Sequence, residues 1–280
     1  MKKGGEEKSY AGITGAVARV LEGGGLAALA TLVEVPADAA RVGAKVLLEE
    51  SGASEGSTGD TSLDASLAAF ASVFLASRAE ARTYTLEELG GAESFGERWR
   101  GARVLFERVE TEPRLVVCGA GHVGAALARL ALAVGYRVTL VDDRADFVTR
   151  ARFPEEGIEL VAAESWTDAL DAAIGTGRGV SVAVVTRGHN EDEECMRAAL
   201  AKRPAYVGMI GSRRRTNIVL ERLRESGFDE ALLREVRAPV GLDIGAVSPE
   251  EVALSILAEM VAGRRGGTGA PLSEWRRRSS

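Results

Sequence analysis

Apolar positions along the chain change their rhythm near residue 112, and the change separates two regions. Ahead of it, Thr14 to Glu22 has helical spacing in Ala16, Val17 and Val20, stopped by Gly23-Gly24-Gly25. Ala28 to Val35 reads as an apolar strand ended by Pro36, with Val42 to Glu50 as its hairpin partner. Ser51 to Ser62 is small and polar, which predicts a loop, and Leu63 to Arg78 is an Ala- and Leu-rich helix. Arg82 to Thr85 and Ala102 to Glu110 are strands, the second alternating in Val104, Phe106 and Val109. These elements predict a small α+β domain over residues 1–112.

Pro113 disfavours helix just before it and marks the boundary. Beyond it the pattern becomes strand, glycine turn, helix, strand. Leu115 to Cys118 is wholly apolar, as a strand covered on both faces must be. Gly124 to Val134 is helical, with Leu127, Leu130, Ala131 and Val134 on one face, and Gly135 ends it. Further strands are expected at 137–141, 158–162, 180–186 and 206–210, with helices at 166–174 and 192–201. The alternation predicts an α/β fold, a doubly wound (Rossmann-type) parallel sheet over 113–265, followed by a basic, flexible tail over 266–280.

Composition narrows the chemistry. Hydrophobic residues at 46% allow a sizeable core, and a net charge of -6 argues against sequence-independent nucleic-acid binding. Local basic clusters, Arg213-Arg214-Arg215 and Arg276-Arg277-Arg278, can still hold one phosphate. The two cysteines, Cys118 and Cys195, lack the spacing of a zinc site or a disulfide framework, so no metal site is expected and a reducing cytoplasm fits. Residues 1–7 do not open a signal-type apolar run, and the most apolar later stretch, Leu67 to Leu75, is too short to cross a bilayer. A soluble, cytoplasmic protein is expected.

Gly119, Gly121 and Gly124 follow a strand and open a helix, the context that gives a G-x-G-x-x-G pattern meaning. The first glycine makes the turn, the second admits a phosphate to the backbone, and the third lets the helix pack closely. His122 and Val123 lie within this loop. Roughly twenty residues on, Asp142 ends the second strand, where a carboxylate can accept from a ribose diol. His189, the other histidine, follows the fourth strand, and ligands of open α/β sheets bind beyond such strand ends. Gly211, Ser212 and Arg213 end the fifth strand, with Ser212 as a helix N-cap. Ser248-Pro249-Glu250-Glu251 is a capping box, which accounts for that segment but leaves Asp243, in a glycine-bracketed loop, as a site candidate.

Four motifs together resemble the xanthine dehydrogenase accessory protein family (XdhC/CoxI): Gly119 to Val123, Val141-Asp142-Asp143-Arg144, Tyr206 to Arg214, and Pro239 to Ala246. More loosely, 41–47 resembles a hairpin strand of the family's N-terminal region. The resemblance implies a cofactor-binding maturation chaperone rather than a turnover enzyme. It would bind the molybdenum cofactor (molybdopterin), help its sulfuration, and insert it into an apo molybdenum hydroxylase resembling xanthine dehydrogenase. It also implies a homodimer, and a cofactor site that includes Asp143 and Arg144. One departure stands out. Where the family carries Gly-Ser-Val-Ser-Gly-Gly-Cys-Leu-Glu, this chain has Gly56 to Asp64, with Ser62 in place of the cysteine and Asp60 and Thr61 in place of the glycines. A hydroxyl cannot replace a soft thiolate ligand or carry a persulfide. The alternatives are an NAD(P)-dependent oxidoreductase, with His122 or His189 as proton donor to a small carbonyl, and a nucleotide-sensing module on the same fold. No residue is assigned a catalytic role.

Overall fold

The computed structural model describes residues 3–36, 42–77, 79–90 and 99–273. Of residues 3–11 and His189 it describes the backbone. Arg41, Arg78 and the tail cluster Arg276-Arg277-Arg278 lie outside the described residues. The chain divides into two compact units, Met1–Thr111 and Glu112–Ser280.

In the first unit, α1 (Lys3–Glu22) precedes β1 (Leu26–Glu34), β2 (Lys45–Glu49) and β3 (Ser54–Gly56); then come α2 (Thr61–Ala76), β4 (Ala81–Thr85), α3 (Leu86–Gly90) and β5 (Arg103–Glu110). The strands form one antiparallel sheet in the order β3-β2-β1-β5-β4. Its centre, β1, is apolar on both faces because both are covered. Ala27 packs with Leu47 and with Ala16 and Val20 of α1, while Ala28, Ala30 and Leu32 pack with Leu63, Leu67 and Phe74 of α2. Two elements escape the apolar pattern. Helix α1 begins well before Thr14, in a stretch with no apolar rhythm, and β3 is an exposed three-residue edge strand inside the expected polar loop. The exposed strand β3 buries no stripe that composition could reveal.

The second unit contains β6 (Arg114–Cys118), α4 (His122–Ala133), β7 (Arg137–Asp142), β8 (Ile158–Ala162), α5 (Trp166–Ile174) and β9 (Val180–Val184). These are followed by α6 (His189–Ala201), β10 (Tyr206–Met209), α7 (Arg213–Glu225), α8 (Glu230–Glu235) and α9 (Pro249–Arg265). All pairings in the β10-β9-β6-β7-β8 sheet are parallel. Beside β10, Arg237 N–H donates to the Val207 carbonyl and Met209 N–H to the Arg237 carbonyl, each at 2.9 Å, in a parallel bridge. That segment stands in the sixth position of the dinucleotide-binding strand order. The expected α/β fold is observed.

Burial follows the strand period of two. Leu115 and Val117 of β6 face α4 and α9 through Leu127, Ala131, Ile256 and Met260. Val116 and Cys118 face α5, α6 and α7 through Leu170, Met196 and Val219. Helix α6 starts at His189, three residues before the expected Asp192, because Gly188 takes the N-cap position. The sequence reading missed the short helix α8, which is capped by Asp229.

Candidate functional site

Every loop that carries a predicted site residue leaves the same carboxyl edge of the parallel sheet. The topological switch lies between β6 and its neighbour β9, whose chains depart to opposite faces. After β6, Gly119 turns with φ 110°, and a Cβ there would stand 2.8 Å from the Val185 carbonyl oxygen. A Cβ at Gly124 would run into the carbonyl oxygen of Gly119. Gly121 differs from both. It is the N-cap of α4 with φ -68°, and a Cβ there would meet nothing within 4 Å. Among the described residues, no side chain caps the first turn of α4, so its N–H groups face that open space with the positive end of the helix dipole. His122, exposed, opens the helix, and Val123 packs against the core.

Asp142 ends β7 only 1% exposed. Its Oδ2 accepts from the Ala120 N–H at 2.6 Å and from Arg144 Nη2 at 2.9 Å. Its Oδ1 accepts from the Arg144 N–H at 2.9 Å and Arg144 Nε at 2.8 Å. Burial pushes its pKa up, but the Arg144 and Ala120 hydrogen bonds outweigh this and hold it below the ordinary carboxylate range. The same pairing raises Arg144. Asp142 thus ties the glycine loop to Arg144. Asp143 lies 3.8 Å from Arg144 Nε and meets Arg187, on the loop after β9, at 3.1 Å. Because β7 and β9 flank β6, this ion pair crosses the end of the glycine strand.

Beyond β9, Thr186 donates its hydroxyl to Asp192, which is fully buried and also accepts from Arg215 Nε at 2.6 Å. Of the three clustered arginines, Arg215 is the one drawn inward, and Arg213 is exposed. Ser212 caps α7 as expected, accepting from the Arg215 N–H. Asp243 is exposed and lines a cleft of about 360 Å³ with Gly211, Val240, Ile244 and Ser255. The loop that carries it is pinned to α9: Gly241 N–H donates to Glu259 at 2.5 Å, and Ser255 Oγ donates to the Leu242 carbonyl at 2.6 Å. The capping box at Ser248 is present.

The structure therefore brings Gly119, Gly121, Asp142 and Arg144 into one cluster, and places Gly211 and Asp243 together in another. His189 opens α6, directly after its N-cap Gly188. Sequence reasoning placed Arg215 only within a basic cluster able to hold a phosphate, and missed Phe147, Arg152, Arg187 and Asp192 as parts of this edge. Arg187 lies three residues past β9, whereas Phe147, Arg152 and Asp192 lie five to ten residues past β7 or β9 and carry no spacing signal.

The chain matches the XdhC Rossmann domain over residues 115–260, more than half its length. It belongs to the XdhC family. It is 34% identical over 181 residues to the uncharacterized protein YqeB of Escherichia coli, covering 64% of this chain and 32% of that one. A relative from Bacillus subtilis, named as a probable subunit of xanthine dehydrogenase, is 29% identical, covering 58% and 46%. The molybdenum cofactor insertion chaperone PaoD of Escherichia coli is 28% identical, covering 54% and 40%. The chain thus spans between about a third and a half of the length of these curated relatives. A crystal structure described as a xanthine dehydrogenase from Bacillus halodurans shares the fold, with a TM-score of 0.50 at 18% identity over 93% of this chain and 98% of that one.

In this XdhC chain, the segment around Ser62 satisfies its own polar groups. Asp60 caps α2, accepting from the Ser62 and Leu63 N–H groups, from Ser62 Oγ at 2.6 Å and from Trp99 Nε1 at 3.2 Å. The Ser62 hydroxyl bond is the largest of the influences that lower the Asp60 pKa to about 2. Thr58 and Ser57 bond Asp64 in the same way. Both cysteines are fully buried, and burial with a bond to Cys118 pushes the Cys195 thiol far up. Among the described residues, no helix is long and apolar enough to cross a membrane.

Proposed function

We propose that this chain is an accessory protein that binds the molybdenum cofactor at its glycine loop and delivers it to a xanthine dehydrogenase-like molybdenum hydroxylase. The names of two relatives support this: one is called part of a probable xanthine dehydrogenase, the other a molybdenum cofactor insertion chaperone. The observation that carries it is the open space at Gly121 over the uncapped first turn of α4. The cofactor's pterin bears a phosphate, and free N–H groups at a positive helix end suit a phosphate.

The residues fit the phosphate end of the cofactor and not its metal end. Both thiols in the chain are buried, so neither a soft ligand for molybdenum nor a persulfide carrier is offered. The role supported is holding and delivery, with the sulfur supplied by another protein. The partners that go with this reading are an apo molybdenum hydroxylase and a second copy of the chain, in the cytoplasm. The oxidoreductase reading has lost its diol acceptor, because Asp142 already takes four donors and a carboxylate has about four lone-pair sites.

Protein purified anaerobically should retain the cofactor on gel filtration, and mass spectrometry of the released ligand should identify molybdopterin. Gly121→Asp should abolish retention by setting a carboxylate over the phosphate position. Retention equal to wild type in that variant removes the glycine loop as the site.

A further inference from the structure

At the end of β7, where a dinucleotide-binding sheet ordinarily presents a free carboxylate to a ribose diol, this chain presents guanidinium groups. Asp142 has no acceptor capacity left for a diol, because its oxygens are shared between the Ala120 and Arg144 N–H groups and the Arg144 side chain. Arg144 spends only Nε and Nη2 on this bond and remains about a quarter exposed, at 26%. Its guanidinium lies over the ring of Phe147, 3.5 Å from the centroid, and that of the exposed Arg152 lies over the same ring at 4.3 Å. Both are tied to the glycine loop: Arg144 through Asp142, and Arg152 by Nη2 donating to the Ala120 carbonyl at 3.4 Å. Phe147 thus fixes two cations beside the residue that precedes Gly121.

We infer that Arg144 and Arg152, held on Phe147, form a phosphomonoester subsite that selects a ligand ending in a phosphate over one ending in a ribose diol. The inference rests on the reading that the ligand occupies the glycine loop. Planar guanidinium donors match the oxygens of a terminal phosphate, whereas a diol needs a free acceptor, and the strand-end carboxylate that ordinarily supplies it, Asp142, is fully engaged. Donor geometry is the selecting feature, not surplus charge. Asp142, Asp143 and Asp146 face Arg144, and Arg187 holds Asp143. Two sources share this chemistry: the phosphate of a pterin, held jointly by the first turn of α4 and the guanidinium groups beside Ala120, and the 2′-phosphate of NADP+.

The test titrates the full chain with NADP+, with NAD+, and with the molybdenum cofactor, alone and as competitor. If the subsite accepts either source, NADP+ binds at least about tenfold tighter than NAD+, the cofactor displaces it, and Arg152→Gln removes the preference. If it accepts the pterin alone, neither nucleotide binds and Arg152→Gln loosens the cofactor several-fold. Arg144→Gln, checked for folding by circular dichroism, should act in the same direction. NAD+ binding as tightly as NADP+ overturns the inference. So does unchanged binding in Arg152→Gln, or an absence of binding by all three ligands. If Gly121→Asp abolishes cofactor retention while Arg152→Gln has no effect, the subsite falls and the cofactor reading stands. If Gly121→Asp has no effect, the reading falls first, and the nucleotide contrast still judges the subsite.

Discussion

Asp142 shows how far a residue's surroundings can redirect it. A carboxylate at a strand end near a glycine loop is spent on the loop itself, because the nearest donors are the Ala120 N–H and a guanidinium two residues away. Asp60 is used in the same inward way, as the cap of α2. Replacing it with alanine at neutral pH should lower stability by about 0.5–2 kcal/mol, the usual loss for an N-cap. The sign of the pH dependence follows from the lowered pKa. The charged cap contributes fully above the ordinary value of 3.8 and is lost as pH falls towards about 2. Asp60→Asn keeps a neutral cap, so its urea-unfolding stability should decline less steeply on acidification than that of wild type. Equal slopes in the two proteins would remove Asp60 from the acid sensitivity.

At the scale of elements, the first strand–turn–helix unit of the parallel sheet holds two glycines with opposite demands. Gly124 is required by packing, since α4 crosses β6 so closely that a methyl group meets the backbone of Gly119. Gly124→Ala should therefore lower stability by about 1–3 kcal/mol, in the range of overpacking. Gly121 has room for a methyl group and a backbone that any residue can adopt. Gly121→Ala should cost no more than about 1 kcal/mol as a weaker N-cap, yet reduce retention of the cofactor. Thermal unfolding of the pair, read beside gel filtration, checks both. A Gly121→Ala protein as unstable as Gly124→Ala would mean that position 121 serves packing. The late boundary expected for α6 belongs to this scale too. Asp192 reads as a helix-starting residue, but the fold buries it against Thr186 and Arg215, and the helix begins earlier at a glycine.

At the scale of the molecule, each unit has its own apolar core: a sheet between two helices in the first, and a sheet covered on both faces in the second. A fragment of residues 112–280 should therefore fold alone, unfold in one cooperative step, and keep whatever ligand the glycine loop holds. Differential scanning calorimetry and cofactor retention by the fragment would test this, and a non-cooperative melt would count against it. The sequence by itself determined the parallel sheet, its strand positions and the glycine turn, because strand burial, helix stripes and glycine geometry are local consequences of side-chain size and spacing. It also located every candidate residue but Asp243 just beyond a strand. Only the tertiary structure decided which charges meet: Asp142 with Arg144 beside Phe147, Asp143 with Arg187, and Asp192 with Arg215. The last two pairings depend on which strands become neighbours, and an ion pair between separate loops leaves no periodic trace in the chain; Asp142 and Arg144 are near in sequence, but only the fold buries one against the other.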